Sequence, residues 1–342
     1  MTQGTKRFAI AFIFIAAATL AWIAYQAYGL YMTPVVEQTA VVRFPTGGTP
    51  QQLIDTLQAA GAVSDTAQLR AMLNKLDFSY RAGQFEVTAG MTAKELVRHF
   101  RLGKQKESRV VLTHGRLLGD VAAQATRFVE IDSAALHEAL IDSAWLAERQ
   151  ATEQTAIQYL IPNTYSVYWN TSPSELRDRL ALEAEKFWNR KDRLAKADSL
   201  GLTPLEVYTL ASIVESETKV DAEKPTVAAV YLNRLARGIK LDADPTVIFG
   251  LGDFSIRRVL YKHLEHDSPY NTYLYGGLPP GPIAMPTVSS IDAVLEPDQH
   301  DYIFFVTKGD GSGTHAFAKT MAGHSRNIRA FQQNLRERGI RR

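Results

Sequence analysis

The stretch LASIVESETKV, residues 210–220, sets Glu215 and Glu217 two positions apart on what its surroundings predict to be a helix. Thr203-Pro204-Leu205-Glu206 reads as a capping box with proline at the first helical position, so the helix starts near Pro204. Leu210, Ile213 and Val214 mark its buried stripe, and Glu217 falls seven, four and three positions after them, continuing that stripe. Glu215 is roughly 200° away around the axis, at about 100° per residue, and reads as an ordinary solvated residue. A carboxylate on an apolar stripe is costly to ionise, so its pKa should rise toward the range of a general acid near neutral pH. The same spacing also fits a Glu217 that begins the last turn and reaches solvent or pairs with Lys219.

Other chemistries find little foothold. His263 and His266 in HLEH are spaced i, i+3 rather than the i, i+4 of HExxH, and His114, His315 and His324 are scattered, so no metal site is expected. GDGSG has only Asp310 of the several acids a calcium loop needs and reads as a glycine turn before a strand at THAF. There is no GxSxG elbow and no P-loop. The chain contains no cysteine, which removes thiol catalysis, cysteine-ligated metal and disulfides. What remains is one acid working with amides and aromatics. SPYNTY offers Tyr270, Asn271 and Tyr273, and GGLPPGPI would stiffen the loop that presents them. Aromatic faces beside amide groups can grip a sugar ring, which has one apolar face and a rim of hydroxyls; the same tyrosines also suit simple packing.

The elements that must position these residues follow from pattern. The length, 342 residues, allows roughly two domains at ~100–200 residues each. Lys6 and Arg7 precede Phe8 to Tyr25, which is apolar except for Thr19 and matches the ~18–20 residues needed to cross a bilayer. No Ala-x-Ala site follows, which favours an uncleaved anchor, and the basic flank predicts a cytoplasmic N-terminus. Residues 41–113 then give a strand at VVRF, a helix from Thr49-Pro50 to Gly61 and a second helix with Leu69, Met72, Leu73 and Leu76 at helical spacing. A strand with Phe85 and Val87 follows, then a helix capped by Thr92 and Glu95 and closed at Gly103, and RVVLTH as a last strand of the same small sheet. Residues 115–199 read as mostly helical, interrupted by LIPNTYSVYW. After the Glu217 helix and a helix at EKPTVAAVYLNRLARG, the segments KLDADPTVIFGLG, SPYNTYLYGGLPPGPIAMP and DYIFFVTKGDGSGTHAFAKT read as strand and loop. The formal net charge is +2, and the short runs Lys104–Lys106 and Arg341-Arg342 make no nucleic-acid surface.

Taken together, LASIVESETKV, VYLNRL, LDADPTVIFGLG, SPYNTYLYGGLPPGPIAMP and DYIFFVTKGDGSGTHAFAKTMAGH resemble, in order, the endolytic murein transglycosylase or YceG-like family, and YRAGQFEVTAGMTAKELVRHFRLGK resembles its LysM-like subdomain. The resemblance implies an α+β protein of the bacterial inner membrane. Its expected plan is a cytoplasmic tail (1–7), a transmembrane anchor (8–32), a linker (33–40), a LysM-like α/β subdomain (41–113) and a mixed helical and β catalytic domain (114–342) in the periplasm. Such proteins cut nascent peptidoglycan strands internally, ending glycan elongation, and need no cofactor. Their acid is the second Glu of an IVExET-type motif, which falls on Glu217. The implied reaction is non-hydrolytic: Glu217 protonates the oxygen of a MurNAc-β-1,4-GlcNAc bond, then takes the proton of the MurNAc C6 hydroxyl as that oxygen attacks C1. One acid suffices because the nucleophile belongs to the substrate; a hydrolytic route would need a second carboxylate, for which Asp244 and Glu223 are the candidates. The substrate-binding residues implied are Asn271, Tyr273, Tyr270, Asn163, Tyr165, Asp244, Thr246 and His315, with no metal. In one departure, IPNTY stands where the family usually has FPDTY, so Asn163 replaces an Asp. The implied partners are peptidoglycan glycan strands and the membrane, with peptidoglycan synthases as further candidates. The alternative is a tethered, catalytically inactive glycan-binding or scaffold protein, against which the acid at the matched position argues.

The apolar run is expected to remain on the mature protein. N-terminal sequencing that began after about residue 25 would instead identify a cleaved signal.

Overall fold

The computed structural model describes residues 3–75 and 80–340; Leu76, assigned above to the second short helix, and Arg341-Arg342 lie outside the described residues. The first element, α1 (Gln3–Met32), contains a 20-residue segment, Ile10–Gly29, that is long and apolar enough to cross a membrane. At ~1.5 Å per residue that segment spans ~30 Å, the thickness of a bilayer's hydrocarbon core. Phe12, Phe14, Leu20 and Trp22 are exposed on it, as side chains meant for lipid would be.

The chain divides into two compact units. The first comprises Met1–Arg109, Phe128–Glu130 and Ser166–Thr171, and the second Val110–Arg127, Ile131–Tyr165 and Ser172–Arg342. The sequence places the boundary between the two folded domains after residue 113.

In the first unit β1 (Ala40–Phe44) is followed by α2 (Pro50–Ala59), α3 (Ala67–Lys75), β2 (Gly83–Val87), α4 (Ala93–Leu102) and the start of β3 (Glu107–Leu112), a strand divided between the two units, as is its partner below. β1 and β2 are antiparallel with Val42 opposite Phe85, and alternate residues Val42, Phe44, Phe85 and Val87 join Leu53, Leu57, Leu96 and Phe100 in the core. Thr49 with Gln52, and Thr92 with Glu95, close reciprocal capping boxes that satisfy the first amides of α2 and α4. β3 does not extend this ladder as expected. It pairs with β4 (Asn163–Tyr168). Its alternating burial identifies a half-buried strand, but alternation carries no information about which strand lies beside it.

The second unit is largely helical. It runs through α5 (Leu118–Ala125), α6 (Ser133–Leu140), α7 (Ser143–Glu148), a 3-10 turn at Glu153–Tyr159, β4, α8 (Pro173–Trp188), α9 (Arg193–Ser199) and α10 (Pro204–Glu217). It continues with α11 (Lys224–Ala236), α12 (Asp244–Leu251), α13 (Tyr261–Leu264), α14 (Val288–Leu295), the antiparallel hairpin β5 (Phe304–Thr307) and β6 (His315–Ala318), and α15 (Met321–Glu337). α12 corrects the reading of KLDADPTVIFGLG as strand and loop. Pro245 sits in its first turn and Gly252, at φ +68°, closes it, so the residues that suggested a loop are a helix's own punctuation.

α10 is the core of this unit. Every residue from Val207 to Glu215 is buried, under cover from α9, α11, α12, α14 and the 3-10 turn. The polar groups inside are accounted for, as burial demands. The Tyr208 hydroxyl lies 2.9 Å from the Ile157 carbonyl and 2.8 Å from that of Leu160, while Ser212 donates to Thr209 O (2.6 Å) and accepts from the Ile283 amide (3.0 Å). A helix without a solvated face along this span has no stripe, so the spacing argument that separated Glu217 from Glu215 does not hold.

Candidate active site

α10 ends at Glu217; Thr218 turns extended, and its amide makes the closing bond to Val214 O. The Glu217 side chain is half-buried, and its Oε1 accepts a 2.8 Å hydrogen bond from the Tyr231 hydroxyl on α11. Burial pushes this carboxyl group up to about 7. The Asp244 charge adds to the rise, while the Tyr231 bond and the Arg234 charge oppose it. The carbonyl end of the helix also disfavours a negative charge there. Tyr231 is itself buried, and its pKa lies well above the ordinary phenol value, through burial and then the neighbouring Glu217, so it remains the donor. With one carboxyl oxygen held by the phenol, the other is left to hold or release a proton near neutral pH.

Glu215 is the correction. It is buried, 6 % exposed, where a solvated residue was expected. Its Oε2 accepts from Thr287 Oγ1 (2.5 Å), Ser290 Oγ (2.6 Å), Lys224 Nζ (3.0 Å) and the Thr287 amide (3.4 Å), and Lys219 Nζ lies 3.1 Å from Oε1. Burial alone would raise its pKa. The Ser290 and Thr287 hydroxyls and the Lys224 ammonium outweigh that and hold it at about 2, so Glu215 is a fixed anion tying α10 to α11 and α14.

Of the other residues singled out by sequence, Asp244 and Tyr273 come together beside Glu217. Asp244 opens α12, and its Oδ1 accepts from the Tyr273 hydroxyl at 2.7 Å. The Tyr273 pKa is raised by burial first, then by Asp244, and in smaller part by the Glu217 charge. His315 stands further back. Its ring is edge-on to Phe305 (5.4 Å), which is edge-on to Tyr231 (5.8 Å), and its Nδ1 lies 3.0 Å from Glu223. Asn271, Thr246 and Tyr165 were read as substrate-binding, but their polar atoms are engaged inside the protein. Asn271 is 1 % exposed; its amide donates to Leu264 O and His266 O, both at 2.8 Å, and its oxygen accepts from the Tyr273 amide at 3.0 Å. Thr246 bonds Ala243 O (2.7 Å) and Thr272 Oγ1 (2.8 Å), and Tyr165 donates to Ile161 O (2.5 Å). Asn163 is exposed, with its Oδ1 on the following amide at 2.8 Å. Tyr270 packs on Phe249, ring centroids 4.7 Å apart, and lines a separate cavity. Sequence reasoning missed Tyr231, Lys224, Thr287 and Ser290. Tyr231 lies in the middle of a correctly expected helix, yet nothing in its spacing relates it to an acid on another helix.

These features describe a protein of mixed helix and strand with one carboxyl group, raised to about 7, at the end of a buried helix. The chain belongs to the YceG-like family, whose model matches residues 42–330. The endolytic murein transglycosylase of Bacillus subtilis (strain 168) is 27% identical over 322 residues, covering 87% of this chain and 88% of that protein. The endolytic murein transglycosylase of Streptococcus pneumoniae serotype 2 (strain D39 / NCTC 7466) is 24% identical over 318 residues, and the match covers 84% of this chain but 57% of the pneumococcal protein. A crystal structure of a yceG-like protein from Listeria monocytogenes has the same fold, with a TM-score of 0.57 at 24% identity, covering 84% of this chain and 98% of that one.

The two glutamates should affect stability in opposite senses. Glu215, depressed to about 2, contributes stability that is present above the ordinary carboxylate pKa and lost as pH falls toward 2. Glu217, raised to about 7, costs stability once pH exceeds 7, and the cost fades as pH falls toward the ordinary value. Thermal unfolding across pH should therefore show Glu215→Gln well below the parent at neutral pH. Glu217→Gln should match or exceed the parent there and lose the decline between the ordinary carboxylate pKa and about 7. Equal effects of the two changes would contradict the assignment.

Proposed function

We propose that this chain is a membrane-anchored lytic transglycosylase that cuts the MurNAc-β-1,4-GlcNAc bond inside nascent peptidoglycan strands, leaves 1,6-anhydro-MurNAc ends and so stops glycan elongation. The observation that carries the reading is the Glu217 carboxyl group, raised to about 7 and hydrogen-bonded to Tyr231. It is supported by the names of the Bacillus and Streptococcus relatives, both endolytic murein transglycosylases.

In this mechanism the free oxygen of protonated Glu217 gives its proton to the glycosidic oxygen as the bond from that oxygen to MurNAc C1 breaks. The C6 hydroxyl oxygen of the same MurNAc attacks C1 from within the ring, and its proton passes to the Glu217 carboxylate. Proton and bonds balance without water: the products are a 1,6-anhydro ring and a free GlcNAc 4-hydroxyl. Among the described residues no carboxylate is hydrogen-bonded to Glu217, which suits a route with one acid/base. The Asp244 carboxylate, oriented by Tyr273, supplies negative charge opposite the positive charge that develops at C1. Tyr273 is the aromatic candidate for contact with sugar beside Glu217.

In the same reading α1 is a single-pass inner-membrane anchor with Lys6 and Arg7 on the cytoplasmic side and the rest of the chain in the periplasm. Residues 41–113, with their β1-α2-α3-β2 order, are a LysM-like glycan-binding module in this reading, and residues 114–342 form the catalytic domain. Peptidoglycan synthases would be its neighbours at the site of strand synthesis.

Glu217→Gln is expected to abolish cleavage of uncrosslinked glycan strands, with products of the parent enzyme seen by mass as multi-sugar fragments bearing anhydro ends. Incorporation of labelled oxygen from water into reducing ends would overturn the non-hydrolytic route. The pH profile offers a second check. Because the Tyr231 bond lowers the Glu217 pKa, Tyr231→Phe should raise it, moving the alkaline fall of kcat/KM above about 7 to higher pH while lowering the maximal rate. An unmoved alkaline limb would remove Glu217 from the role of acid.

A further inference from the structure

The exit of α1 is built into the first unit. Pro34 bridges to Thr92, the amides of Val35 and Val36 donate to Met91 O at 2.8 and 3.2 Å, and the Gly90 amide donates to Val36 O at 2.8 Å. The membrane-length segment of α1 ends at Gly29 and the helix runs on to Met32, so at ~1.5 Å per residue Tyr31 lies only ~3 Å beyond that end. The headgroup layer on each side of a hydrocarbon core is ~5–7 Å thick, so an α1 that spans a bilayer puts Tyr31 within it. Tyr25 and Tyr28, exposed on the last turns of α1, are of the type that favours the same layer. Lys94, the second residue of α4, holds its Nζ 5.6 Å from the centre of the Tyr31 ring. The start of α4 is therefore at headgroup depth.

α4 gathers its cations on one side. Lys94, Arg98 and Arg101 follow at i, i+4 and i+7, within ~60° of the helix surface, and all three are exposed. Leu102, 74 % exposed, flanks them. Among the described residues Arg98 and Arg101 have no hydrogen bond or ion pair. The one acid of α4, Glu95, is occupied at its cap, its carboxylate accepting from the Thr92 amide (2.9 Å) and hydroxyl (3.0 Å). Arg98, Leu102 and Glu95 also line a cavity of about 470 Å³ together with Gly90 and Met91, the residues that hold Val35 and Val36. No Phe, Tyr or Trp is among its described lining residues, so it lacks the flat apolar face on which a sugar ring rests. A guanidinium without an internal partner suits a phosphate, and Leu102 and Met91 suit the acyl boundary beside it.

We infer that this edge of the first unit is a docking surface for anionic phospholipid, with a headgroup phosphate received by Arg98 at the cavity and Lys94 and Arg101 beside it. The inference rests on reading α1 as a membrane anchor and goes beyond it: the first unit lies on the bilayer surface, held there by charge.

The chain contains no cysteine, so Leu102→Cys accepts a fluorophore at a single site. The labelled full chain is placed in nanodiscs of phosphatidylcholine alone, or of phosphatidylcholine with phosphatidylglycerol, each carrying a trace of headgroup-spin-labelled lipid. Quenching of the label is expected in the anionic discs and is expected to fade at high salt. Arg98→Glu combined with Arg101→Glu should abolish it, and the paired Lys variants should retain most of it. The paired Gln variants, which cannot repel lipid, should lower the docked-to-free ratio by ~5-fold per cation removed. Equal quenching in both discs, or quenching unchanged by charge reversal, would overturn the inference. So would a label in phosphatidylcholine discs that responds to added uncrosslinked glycan strands, which would assign the cavity to glycan. Retention in the discs without quenching defeats the docking surface alone, whereas a chain that neither disc retains defeats the anchor reading and this inference with it.

Discussion

The ion pair between Glu215 and Lys224 is the contact on which the geometry of the site depends. Glu215 lies in the last turn of α10, Lys224 is the first residue of α11, and the same carboxylate is held by the Thr287 cap at the start of α14. Two helix starts and one helix end are therefore fixed to a single buried anion. Tyr231 lies seven residues, about two turns, beyond Lys224 and so returns to the same face of α11. The bond from Tyr231 to Glu217 follows from that register. Removing one partner of such a pair leaves an uncompensated charge in the core, which is why the last turn of α10 has little freedom.

Two carboxylates two residues apart thus acquire opposite characters. Burial acts on both in the same direction, upward. The difference is the supply of donors. Glu215 receives two hydroxyls, a backbone amide and two ammonium groups, whereas Glu217 receives one phenol and has Asp244 nearby. Donor count turns a desolvation of the same sign into one permanent anion and one group raised to about 7. Under the proposed mechanism an acid that is reprotonated in each turnover needs the second environment, and the first keeps its platform still.

Where residues close in sequence decide the outcome, the structure matches the reading from sequence. The capping boxes at Thr49, Thr92 and Thr203 mark helix starts because cap and partner are three residues apart, and the alternation at Phe85 and Val87 faces the core because side-chain direction in a strand alternates. The misreadings are all questions of distant partners. Glu215 is satisfied by Thr287 and Ser290, 72 and 75 residues away, and without them a glutamate beside a serine reads as surface. β3 reads as a strand, yet its partner β4 is drawn from text beyond three intervening helices. Asn271 has the residue type that binds sugars, but its hydrogen-bonding capacity is spent on backbone groups of its own neighbourhood. The stripe that pointed to Glu217 is absent: α10 is buried all round from Val207 to Glu215, and Glu217 sits where that burial ends.

The rise at Glu217 further depends on how a nearby cation is spent. Arg234, one turn beyond Tyr231 on α11, favours the ionised form of Glu217 and so limits the rise. Its guanidinium also bonds Asp242 Oδ2 (2.9 Å) and the carbonyls of Lys240 (2.9 Å), Leu241 (2.9 Å) and Ile303 (2.7 Å). Those bonds fix the segment that leads into Asp244 at the start of α12, and Asn271 holds the loop that brings the Tyr273 hydroxyl onto Asp244. Arg234 thus anchors the approach to Asp244 and is paired with Asp242 while still opposing the rise at Glu217. The balance between them is carried by α11 and by the stretch from Lys240 to Asp244, so a change in that loop's path would alter the proton affinity of Glu217 without touching it.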